Sequence, residues 1–159
     1  MTATDVQSGG LQMQKGVTPA EGGINDQRWS VVGQTYVPKL LTDEAFVWHA
    51  TIPVDSFVPP HIHPHQDEWI YVIGGALEVE FMQDLHKAGA GDTVRMPRGQ
   101  AHGIFNRSGA EATCIFGVAP SRKLYDLFVQ LDGVTDPAEL TRISALHEVD
   151  FLPPPDAGA

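Results

Sequence analysis

The chain is poor in cysteine and in positive charge. Cys114 is the single cysteine, so no intrachain disulfide can form, and its place in the apolar run ATCIFGVA marks it as a small hydrophobe. Lysine and arginine total 10 against 20 aspartates and glutamates, a formal charge of −10. Such a surface repels phosphate backbones and anionic lipid at long range, so neither nucleic acid nor a membrane is an expected partner. No apolar stretch is long enough to span a bilayer, and no charged segment followed by an apolar one stands near Met1, so a cytoplasmic protein is expected. No internal repeat is visible. With 159 residues, 42% of them hydrophobic, one domain with a substantial core is expected.

Glycine and proline are present in number and punctuate the chain. Residues 1–28 hold Gly9-Gly10 and Gly22-Gly23 and no sustained period, which predicts a flexible arm able to pair across a dimer. From Trp29 to Pro120 the pattern is short β-rich runs: WSVVGQTYV, EAFVWHATI, EWIYVI, ALEVEFM, DTVRMP, HGIFN and ATCIFGVA. Many short strands separated by turn residues point to an all-β barrel or sandwich over 29–120. QDLH after ALEVEFM predicts a hairpin tip, with His86 a solvated turn residue.

Beyond Pro120 the period changes. Leu124, Leu127, Phe128 and Leu131 form an i, i+3, i+4, i+7 stripe that ends at Gly133, the mark of a helix with one buried face. A second helix is predicted from Asp136 as N-cap, with Pro137 at its first position and Glu139 placed for a capping box. Leu140, Ile143 and Leu146 supply its apolar face. VDFLPPP then predicts an extended tail, so 121–159 is expected to pack on the barrel as helices and tail.

The chemistry is concentrated in PPHIHPHQDEWIYVIGG and GDTVRMPRGQAHGIFN. On an extended strand side chains alternate, so His61 and His63 share a face, and Glu68 with His102 can close around one ion. His65 shares the odd-numbered face, but Pro64 interrupts the ladder and a turn is needed before Glu68, which makes His65 a rim residue. Asp67 is a rival carboxylate to Glu68, which fits the following glycine better. Gly74-Gly75 and Gly91 stand where strands must turn, Pro97 and Gly99 shape the bend before His102, and Asn106 can tie a loop through its amide.

Both stretches resemble the two-part signature of the cupin superfamily. The first part is Gly, five residues, His-x-His, three or four residues, Glu, six residues, Gly; the second is Gly, five residues, Pro-x-Gly, two residues, His, three residues, Asn. Here the second part is complete, and the first lacks only its opening glycine, replaced by Asp55, a residue that tolerates a left-handed backbone. From Trp29 to Pro155 the pattern is similar to quercetinase-like single-domain bacterial cupins. The resemblance implies a double-stranded β-helix, the jelly-roll barrel of cupins, with a short C-terminal helical segment. It also implies a homodimer and a metal held by His61, His63, Glu68 and His102.

Three nitrogen donors and one carboxylate suit a divalent iron, manganese, nickel, cobalt or zinc ion. Ile70 and Val72, in phase with Glu68, and Leu77, Val79 and Phe81 are expected to line an apolar substrate pocket. Either Trp48 or His49 faces it, their parities being opposite. His147 is expected to be a surface or packed histidine. The resemblance implies a dioxygenase acting on a small enolic or phenolic substrate, with Glu68 as ligand or proton acceptor. A non-redox cyclase, isomerase or lyase and a non-catalytic small-molecule binder are the alternatives.

Overall fold

Strand pairing explains the crossings of the chain. In the computed structural model, which describes residues 11–153, one sheet has the order β1 (Trp29–Val31), β2 (Gln34–Leu41), β3 (Phe46–Ile52), β10 (Ala112–Ala119), β5 (Asp67–Gly74), β8 (Thr93–Met96). The other has the order β11 (Asp150–Phe151), β4 (Phe57–Ile62), β9 (His102–Phe105), β6 (Ala76–Phe81), β7 (Asp84–Gly89). From β3 to β6 every connection passes from one sheet to the other, and so do those from β7 to β10. This is the path of a double-stranded β-helix. The expectations for residues 1–10 and 154–159 lie outside the described residues. No helix among the described residues is long and apolar enough to cross a membrane.

Alternation puts one face of each strand inside. Phe46, Trp48, Ala50 and Ile52 of β3 are buried, as are Cys114, Phe116 and Val118 of β10 and Ile70 and Val72 of β5. Trp48 is therefore the inward member of its pair, and its ring stacks on Phe46 at 4.8 Å and on Phe116 at 5.3 Å. His49 lies on the outer face, part-buried. Burial pushes the Cys114 thiol up to about 12, which suits a packing residue.

Two hairpins differ from the sequence expectation. WSVVGQTYV is two strands, because Val32 (φ +48°) and Gly33 (φ +78°) form a two-residue turn that pairs Val31 with Gln34. A β-branched residue is unfavourable there, so the usual turn signal is missing. The tip after β6 is Met82-Gln83, and β7 begins at Asp84, so His86 stands on a strand opposite Val79 and is exposed there. β7 is an edge strand wet on both faces for most of its length, and its sequence shows no alternation.

The C-terminal segment packs against the barrel as the stripe in SRKLYDLFVQLDG predicts. α1 (Leu124–Leu131) buries Leu124, Leu127, Phe128 and Leu131, and Gly133 follows with φ +76°. α2 (Pro137–Leu146) has Asp136 as N-cap, whose carboxylate accepts from the Ala138 amide at 3.4 Å. No capping box forms, since Glu139 bonds Arg142 instead. Ile143 is buried and Leu140 part-buried, but Leu146, the last residue of the helix, is 63% exposed, and Ser144 takes the buried place beside Ile143. The tail then adds β11 to β4, with Phe151 opposite His61.

Two turns hold the signature residues. Asp55 has φ +64°, the left-handed backbone expected where a glycine is replaced, and its amide donates to the Asn106 carbonyl at 2.9 Å. Gly75 has φ +76°, and a Cβ there would meet the Glu111 carbonyl at 2.7 Å and Ala112 Cα at 2.9 Å. Gly33 has a similar φ with nothing within 4 Å of that point. Gly75→Ala should therefore cost about 2–3 kcal/mol and Gly33→Ala about 1 kcal/mol, read as urea midpoints at unchanged slope. Equal losses would contradict this steric account.

Candidate metal centre

His61 lies near the end of β4, His63 just past it, and His102 opens β9, directly opposite His61 in the ladder. The β4–β9 register shifts between Val58 and His61. Pro59 and Pro60 occupy that interval and carry no amide hydrogen for the ladder, so a bulge falls there. Glu68 comes from the inner face of β5 in the opposite sheet. Three imidazoles from one sheet thus face a carboxylate from the other. All four residues are buried, and their ligand atoms lie within 4.8 Å of one another.

Hydrogen bonds behind the rings aim them. His61 Nδ1 lies 2.8 Å from the Pro59 carbonyl, which can only accept, so Nδ1 carries the hydrogen and the Nε2 lone pair is free. His63 Nδ1 lies 2.9 Å from Gln66 Oε1, with the same consequence. The carbonyl of His63 accepts from the Gly99 amide at 2.9 Å, so the second motif steadies the first. His102 Nε2 donates to Glu68 Oε1 at 3.0 Å while its Nδ1 is buried without a partner. The proton on His102 Nε2 is the one an ion would displace.

Electrostatics agrees with a cation at the centre. Burial, followed by the proximity of His102 and His63, pulls His61 down to about 3. Burial alone would raise the Glu68 carboxyl, but His63, His102 and His61 outweigh it and hold the group at about 2. At neutral pH a buried carboxylate therefore faces a neutral His61 ring, an arrangement that a divalent ion stabilises. The donor set can hold an iron, manganese, cobalt, nickel or zinc ion.

The rival donors lie elsewhere. His65 is exposed. Asp67 is exposed and accepts from the Arg98 amide at 3.0 Å and its guanidinium at 3.1 Å. His147 Nδ1 is bonded to the Ile143 carbonyl at the end of α2. Asn106 ties its loop: its amide donates to the Ile52 and Ala110 carbonyls at 2.9 and 2.8 Å, and its Oδ1 accepts from Ser108.

The cavity beside the cluster is not walled as the strand parity suggests. Ile70, Val72, Leu77 and Val79 do point inward and are fully buried, but they fill the interior themselves and none borders the cavity. Phe81 lies 6.5 Å from the His102 ring and is also off the cavity wall. Parity gives the face of a strand and not the height at which the interior stays open. The free space, about 50 Å³, lies between His61, His63 and Glu68 on one side and Leu127, Phe128, Leu140 and Ser144 of the helices on the other. Tyr36, Trp48 and Phe116 complete an aromatic wall, and Phe151 of β11 closes it, 5.3 Å from the His61 ring.

Gln66 and Ser144 escaped the sequence reading. Gln66 has the same parity as Glu68, two residues earlier, and that was the available signal. Nothing local in α2 marks Ser144 as a cavity residue.

Comparison with known proteins agrees with this architecture. Residues 48–117 match the family model described as "Cupin domain". Tetracenomycin polyketide synthase protein TcmJ of Streptomyces glaucescens is 29% identical over 94 residues, 58% of this chain. The match spans 63% of that relative, less than two-thirds of its length. An RmlC-like cupin from Shewanella frigidimarina superposes with a TM-score of 0.62 at 16% identity, covering 72% of this chain and 99% of that one. KdgF from a Halomonas species gives 0.60 at 20% identity, covering 69% and 99%. At such identity these two structures speak for the fold alone.

Two predictions follow from the geometry. His61→Ala and His102→Ala should each lower bound metal at least about tenfold by elemental analysis of the folded protein, and His65→Ala should leave it unchanged; equal losses at all three would contradict the assignment. In chelator-treated protein, unfolded His61 binds its proton near 6.5 and the folded residue only near 3. The unfolded state thus holds more protons in this window, so stability rises with pH and is lost as the pH is lowered, by up to about 1.4 kcal/mol per unit. His61→Asn should flatten that slope in urea titrations between pH 6 and 4.

Proposed function

We propose that this cupin-domain protein is a metal-dependent enzyme acting on a small enolic or phenolic substrate, with dioxygenation resembling that of quercetinases as the leading reaction. The supporting observation is the cluster of three imidazoles and one carboxylate, of which His61, His63 and Glu68 border a cavity whose other walls are mostly aromatic and aliphatic. A flat ring suits such walls, whereas a sugar phosphate would need basic groups that the lining does not offer.

A bound divalent ion would supply Lewis acidity and, if redox-active, an electron path between substrate and dioxygen. His61, His63 and His102 would hold it. Glu68, ionised at neutral pH, is a ligand or the acceptor of the substrate's hydroxyl or α-carbon proton, and not an acid. Trp48 Nε1 and Ser144 Oγ are buried without partners among the wall residues and can bind substrate oxygens. The free space is narrow, about 50 Å³ against the about 300–1,000 Å³ usual for ligand sites. In this reading α2, which buries little apart from Ile143 and Ser144, swings away to admit substrate and returns to exclude water.

The likeness to a polyketide synthase protein, whose class of product is rich in ketones and enols, favours a second reading. There the same site moves a proton in a cyclisation or isomerisation without oxygen. Oxygen-electrode assays of protein loaded separately with each of the five metals, against flavonols and enolisable diketones, distinguish the two. Uptake matched to substrate loss is expected from dioxygenation. Full turnover of the zinc form under argon would replace it with the non-redox reaction, and no turnover in either arm would leave a binding protein.

A further inference from the structure

We propose that Gln66 is a positioning residue that sets the tautomer of His63 and ties the metal centre to the seat of the C-terminal helices. The inference rests on the reading of the four-residue cluster as a metal site. Gln66 is 4% exposed, and its side-chain nitrogen donates to the Pro120 carbonyl at 3.0 Å and the Ser121 carbonyl at 2.8 Å. Both amide hydrogens are thereby used. The reversed amide would set an oxygen against two carbonyl oxygens, so the orientation is decided by bonding. Gln66 Oε1 must then face His63 Nδ1, which must carry its hydrogen. His63 Nε2 is left as an acceptor on the side of Glu68, whose Oε2 lies 3.7 Å away.

The other end of the link is the junction where β10 hands over to α1. Ser121 is buried, its amide and hydroxyl both donate to the Asp43 carbonyl at 3.1 and 2.9 Å, and its own carbonyl accepts from the Leu124 amide that opens α1. One side chain therefore spans from a ligand ring to the start of the helix that roofs the cavity. An ion on His63 Nε2 makes Nδ1–H a stronger donor and tightens its bond to Gln66. Because coupling free energy is reciprocal, filling the metal centre steadies the helix junction, and a seated junction favours the ion.

Two substitutions separate the roles. Gln66→Met keeps the length and removes every hydrogen bond. Gln66→Glu keeps an acceptor for His63 Nδ1–H but loses both donors to the helix junction. Chelator-treated full-length chains are titrated with Co²⁺ against a competing chelator, and amide hydrogen exchange is followed across residues 121–131. Gln66→Met should weaken Co²⁺ by about 10- to 100-fold and Gln66→Glu by no more than about threefold, while both speed exchange at the start of α1. In the ¹⁵N spectrum of His63, the Nδ1–H tautomer should persist in Gln66→Glu and become mixed in Gln66→Met. Faster exchange with unchanged Co²⁺ affinity and tautomer in Gln66→Met would reduce the residue to a structural tie and overturn the proposal. Equal loss of affinity in both variants would overturn it too. A wild-type chain that takes up no Co²⁺, and is indistinguishable in this from His63→Ala, removes the metal reading itself.

Discussion

The structure turns on one buried electrostatic arrangement, the carboxylate of Glu68, 5% exposed, set among three imidazoles. A lone buried carboxylate would take up a proton or pull the sheet open. The His102 Nε2–H bond and the proximity of His63 keep it ionised, and the ring of His61 stays neutral beside it. Such a cluster has an excess of lone pairs facing one point. A divalent cation is the partner that chemistry supplies for it.

Much of the remaining architecture makes that meeting possible. The carboxylate and the imidazoles come from opposite sheets, so the sheets must be held in one relative position. Asn106 does part of this by gathering the Ile52 and Ala110 carbonyls, and its backbone is bonded to Asp55 and Ser56 in both directions. The Gly99 amide fixes the backbone of His63, and the bulge at Pro59-Pro60 brings His61 level with His102. Above the cluster the barrel is roofed by α1, α2 and β11, which leaves only a narrow cavity beside the four donors. The four clustered donors and the mouth of the cavity beside them are therefore covered by the same short segment.

The all-β character and the possible grouping of His61, His63, Glu68 and His102 were legible in the sequence because alternation and turn chemistry are short-range rules, while the double-stranded β-helix came from the resemblance to cupins. Alternation placed His61 and His63 on one face, and the spacing of Gly75, Gly91, Gly99 and Asn106 named the turns. The left-handed Asp55 followed from residue chemistry. The stripe from Leu124 to Leu131 predicted its buried face residue by residue. What stayed hidden depends on long-range contacts. Gln66 is buried by carbonyls 54 and 55 residues away, and Ser144 faces the cavity only because α2 folds back over the barrel mouth. The pocket wall was misplaced for the same reason, since Ile70 and Leu77 fill the barrel where Trp48, Phe128 and Phe151 frame the opening.

X-ray absorption at the metal edge of the zinc-loaded protein tests the central claim most directly. The account predicts one ion per chain with a first shell of nitrogen and oxygen donors and outer-shell scattering from three imidazole rings. An ion with one imidazole or none, or with sulfur in its first shell, would show that His61, His63, Glu68 and His102 do not close around a single cation.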